Sequence, residues 1–64
     1  MNKYVLEIEL TNKTMKIELS SNKSIESLHN EFKKTFSNKW IRIDCKETIV
    51  INSDFVISYR IYKI

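Results

Sequence analysis

Four residues of this chain combine the side chain types that most often carry molecular recognition: Trp40, Arg42, Arg60 and Tyr62. They comprise its one tryptophan, both of its arginines and one of its three tyrosines. Trp, Tyr and Arg dominate the hot spots of protein interfaces. The same types, interleaved on a sheet, stack nucleobases and hold phosphates. Each pair sits in an alternating segment. Trp40 and Arg42 alternate with Ile41 and Ile43, while Arg60 and Tyr62 alternate with Ile57, Tyr59 and Ile61. If the apolar set of both segments faces a core, all four recognition residues share the other face. That face suits a protein contact. The alternative is single-stranded DNA or RNA, with Lys33, Lys34 and Lys39 joining Arg42 and Arg60 as phosphate contacts.

Residues that could do covalent or acid–base chemistry are few. His29 is the only histidine and falls four residues after Ile25, at the edge of an apolar helical stripe, where boundary packing explains it. Cys45 is the only cysteine and has no Cys–His signature around it, so it reads as an incidental thiol in a turn. Glu7, Glu9 and Glu18 cluster on one face of an expected hairpin, beside Lys16, which neutralises them. No Gly-rich phosphate loop or metal-ligand spacing is present, and no cofactor or enzyme activity is expected.

Composition narrows the class further. The chain has 64 residues, a net charge of +3, 42% hydrophobic residues and no Gly or Pro. Such a length supports one small core, and the apolar content excludes disorder. Mild basicity permits nucleic acid or an acidic protein surface without requiring either. Ile, Lys, Asn, Phe, Tyr and Met, whose codons are AT-rich, make up half of the chain. The expected source is a low-GC bacterium or its phage. The unpaired cysteine and the lack of a long apolar run lead to a soluble, cytoplasmic protein.

The elements that must position these residues follow from periodicity. Alternation over Lys3–Leu10 and Thr14–Leu19 predicts a hairpin, with Asn12 and Lys13 at its turn and Glu9 opposite Lys16. Ile25, Leu28, Phe32 and Phe36 form one helical stripe, predicting a helix from Ser24 to Phe36 with Ser24 as N-cap and Asn38 as a Gly-like C-terminal stop. Strands are expected over Trp40–Asp44, Thr48–Ile51 and Val56–Tyr62, with a turn or a single 3₁₀ turn at Asn52–Asp54. The order β-β-α-β-β-β defines an α+β domain with one helix on one face of a mostly antiparallel sheet. That order fits two topologies, a β-grasp-like arrangement and a sheet made of the first hairpin continued by a meander.

Ile49-Val50-Ile51 and Phe55-Val56-Ile57 are apolar on both strand faces, more than a sheet covered on one side needs. A second copy of the chain, forming a homodimer, would cover the surplus.

Trp40-Ile41-Arg42-Ile43, a polar turn, then Ile49-Val50-Ile51-Asn52 and Ser53-Asp54-Phe55-Val56 resemble the C-terminal half of small uncharacterised proteins from low-GC bacteria and their phages. That resemblance implies no activity. In outline, the helix, the aromatic strand and the Val50-to-Asn52 turn are also similar to the middle of LytTR-type DNA-binding domains, which implies DNA binding. Asp44-Cys45-Lys46 here replaces the His-Arg-Ser stretch typical of that family. The expected function is a small non-catalytic binding protein of phage or mobile-element origin that modulates a host protein.

Overall fold

The computed structural model describes residues 1–64 in the order β1 (Asn2–Leu10), β2 (Thr14–Ser21), α1 (Ile25–Thr35), β3 (Trp40–Asp44), β4 (Thr48–Asn52), a 3₁₀ turn (Ser53–Phe55) and β5 (Val56–Lys63). The class is α+β, with a helix packed on antiparallel sheet. Every expected element is present, with ends displaced by a residue or two.

The strands form two sheets rather than one. β1 lies between β2 and β5, antiparallel to both, and β3 pairs only with β4. The last strand thus returns beside the first hairpin, while the third and fourth stand apart as a hairpin of their own. Both sheets turn apolar side chains inward. Tyr4, Leu6, Ile8 and Ile61 from the first meet Ile41, Ile43 and Ile51 from the second, and Leu28 of α1 joins them in one core. Phe36 stacks flat on Tyr59, with ring centroids 4.0 Å apart. The Tyr4 hydroxyl donates to the Lys23 carbonyl at 2.7 Å and so fixes the entry to α1. No helix is long and apolar enough to cross a membrane.

The first hairpin closes one residue earlier than the expected turn. Leu10 N–H donates to the Lys13 carbonyl at 2.8 Å, leaving Thr11 and Asn12 at the tip. Lys16 therefore faces Glu7, not Glu9, and Glu9 faces Thr14. The slip moves each partner by two residues, so the inward set is unchanged. No residue of the chain has positive φ. Asn12 is not used for the left-handed turn its type allows, and Asn38 is not a Gly-like cap. Instead α1 ends through Ser37 N–H to Lys34 C=O and Asn38 N–H to Thr35 C=O, both at 3.2 Å. At its start Ser24 caps as expected, its Oγ accepting from Ser27 N–H at 3.2 Å.

A register shift between Glu9 and Leu10 pairs Leu10 with Val56 and Glu9 with Ser58. Ile57 is the extra residue and is 61% exposed, whereas alternation had placed it inward with Tyr59 and Ile61. Val56 packs against the core instead. A bulge breaks period-2 alternation wherever it falls, which is why the pattern misplaced Ile57.

Candidate protein-interaction surface

The division into two sheets separates the four recognition residues. Trp40 and Arg42 lie on the outward face of the β3–β4 hairpin, since Ile41 and Ile43, which alternate with them, are buried. Arg60 and Tyr62 lie on the outward face of the three-stranded sheet, across from Glu7 and Val5. Both inward faces meet in one core, so the two outward faces look to different sides of the molecule. The four residues therefore do not share one sheet face, because alternation along a strand reports a face and not which sheet the strand joins.

The outward face of the three-stranded sheet is internally paired. Arg60 donates to both carboxylate oxygens of Glu7, each at 3.2 Å, and its guanidinium lies 5.2 Å from the Tyr62 ring centre. Hydrogen bonding to Glu7, together with that carboxylate's charge, raises the Arg60 pKa above its usual value. Lys16 approaches the same carboxylate at 3.9 Å. Val5 is buried on this face, between Glu18 and Tyr62 in the register. The three glutamates thus do not form a carboxylate pair: Glu7 serves two cations, and Glu9 and Glu18 stand opposite Thr14 and Val5.

The hairpin side is different. Arg42 is held by Asp44 at 3.3 Å, and beside it Trp40 is 60% exposed and Val50 57% exposed. Val50 is the direct cross-strand partner of Arg42. Phe55, on the 3₁₀ turn, is 55% exposed. Between this hairpin and the β1–β2 turn runs a groove of about 570 Å³, floored by Leu10, Met15, Ile49 and Ile51 and edged by Trp40 and Phe55. Phe55 C=O accepts from Thr11 N–H at 3.0 Å, which ties the two walls together at one end. Monomers seldom leave Trp, Val and Phe exposed beside an apolar groove without a use for them.

Lys33 and Lys34 sit exposed in the last turn of α1, and Lys39 in the connection to Trp40. No carboxylate pairs with any of the three. Arg60 belongs to β5 and is held by Glu7, so the expected cationic set is spread over different elements. His29 is exposed at 6.4 Å from the Tyr59 ring, as a boundary residue should be. Cys45 is half-buried, its thiol donating to the Glu47 carbonyl at 3.0 Å. Val50 and Phe55 were absent from the expected site. Their signal was the doubly apolar stretches Ile49–Ile51 and Phe55–Ile57.

Fold and site together define a small α+β protein of two antiparallel sheets and one helix, with one self-paired polar face and one open apolar groove. No protein-family model, curated protein or solved structure matches this chain.

Proposed function

We propose that this chain is a non-catalytic, cytoplasmic binding protein of phage or mobile-element origin that modulates a host protein by direct contact. The binding surface is the groove edged by Trp40 and Phe55, with Val50 and Arg42 beside it. The observation that carries this reading is the exposure of Trp40, Val50 and Phe55 around an apolar floor. Aromatic anchors next to a concave apolar site are the usual core of a protein interface. Arg42 adds a charge at the rim, where it aids orientation more than affinity.

Nucleic-acid binding is the competing reading, supported by the unpaired Lys33 and Lys34 at the end of α1 and Lys39 next to Trp40. It is weakened because Arg42 and Arg60 each already hold a carboxylate and belong to different sheets. The two readings differ in salt response. Affinity capture with the wild-type chain, Trp40→Ala and Phe55→Ala, at low and moderate salt, separates them. Protein binding through the groove predicts a host protein retained at both salts and lost with either variant. Retention of single-stranded DNA that falls steeply with salt, unaffected by Phe55→Ala, would replace this proposal with the nucleic-acid one.

A further inference from the structure

The groove follows an unpaired strand edge rather than crossing a sheet face. β4 contributes four consecutive residues, Ile49 to Asn52, to its lining. Neighbouring strand residues point to opposite faces, so a cavity touching all four lies alongside the strand. Hydrogen bonding shows what that edge offers. At the two ends of the hairpin, Ser53 N–H donates to Lys39 C=O at 2.8 Å and Cys45 N–H to Glu47 C=O at 3.2 Å. Both continue the register of Ile41–Ile51 and Ile43–Ile49, which makes these alternate pairs the hydrogen-bonded ones. Thr48, Val50 and Asn52 therefore turn their backbone N–H and C=O groups away from β3, and of the three Val50 and Asn52 line the groove. No other strand pairs with β4.

Among the residues lining the groove, Lys13 is the only charged one, and no carboxylate pairs with it. We infer that this edge accepts an extended segment of the partner protein as an added strand on β4. The segment carries apolar side chains at alternate positions and a carboxylate that meets Lys13. Backbone groups of Thr48, Val50 and Asn52 supply the ladder, and the floor of Leu10, Met15, Ile49 and Ile51 takes the apolar side chains. An isologous dimer through the same edge would set β4 against β4, which supplies no carboxylate. The inference rests on the groove being the binding surface proposed above.

Selection of random peptides of about strand length, displayed against the intact chain, supplies the probes. Val50→Pro removes one outward N–H while leaving the β3–β4 ladder whole, because that N–H takes no part in it. Val50→Thr keeps the N–H. The selected peptides are expected to alternate apolar and polar residues and to carry Asp or Glu. They should bind Val50→Pro about tenfold more weakly than Val50→Thr, since both variants lose the valine side chain and only Val50→Pro loses the N–H. Methylating alternate peptide nitrogens should abolish binding in one phase only, and that result decides the matter if Val50→Pro fails to fold.

Several outcomes overturn strand addition: no enriched peptides, equal binding to Val50→Thr and Val50→Pro, or tolerance of methylation in both phases. If such peptides still lose affinity on Trp40→Ala, the groove stands and only strand addition fails. If Trp40→Ala also binds normally, both fail. A wild-type dimer that Val50→Pro splits assigns the edge to a second copy instead.

Discussion

The two outward faces of this small domain handle their side chains in opposite ways. On the three-stranded sheet, Glu7 is only 20% exposed and satisfies Arg60 and Lys16, and Arg60 in turn lies near the Tyr62 ring. On the β3–β4 hairpin, the one ion pair, Arg42–Asp44, leaves Trp40 and Val50 uncovered. Both faces are built on the same core and the same alternation. The difference shows that residue type alone does not mark a binding surface. An Arg–Tyr pair that has already found its partners is covering for a sheet, whereas an exposed Trp beside an apolar groove has surface left to bury.

That contrast can be broken at several places. The largest effect belongs to the core that joins the faces. Ile41 is fully buried, and Ile41→Ala should cost about 3 kcal/mol, enough to unfold much of a domain this small. Thermal unfolding followed by circular dichroism measures it. Trp40→Ala should barely change stability, by about 0.5 kcal/mol. It should weaken partner binding by about 2 kcal/mol, the loss of a hot-spot residue, as read by calorimetry. Tyr4→Phe removes the hydroxyl that holds the Lys23 carbonyl. A loss of about 1 kcal/mol is expected in denaturant unfolding, with binding untouched. Arg60→Ala should have the smallest effect: no resolvable shift in the thermal midpoint and no change in partner affinity. A marked loss of affinity in that variant would move the binding surface to the other sheet.

Much of this architecture was legible in the sequence. Alternation located every strand, and the Ile25–Leu28–Phe32–Phe36 stripe located α1, because both periods arise from backbone geometry that each residue shares. Sheet membership was not legible. Nothing in Trp40–Asp44 or Val56–Lys63 states that one pairs with β4 alone and the other with β1, since pairing is decided by long-range packing. The hairpin register was missed because Asn12 and Lys13 make a weak turn signal without glycine, and a two-residue slip preserves every inward side chain. Ile57 was misplaced by a bulge that the pattern does not encode. The groove was half legible. Surplus apolar residues at Val50 and Phe55 announced an uncovered surface, while its position against the β1–β2 turn depended on the tertiary fold.

The most direct test of the groove as a binding surface uses Trp40, the only tryptophan, as its own reporter. Its fluorescence is recorded while the host protein captured by the wild-type chain is titrated in, with that protein's own tryptophan signal subtracted. Binding through the groove should shift Trp40 emission to the blue and shield it from acrylamide as the complex forms. A complex that forms with Trp40 emission and quenching unchanged would contradict it and place the contact elsewhere on the molecule.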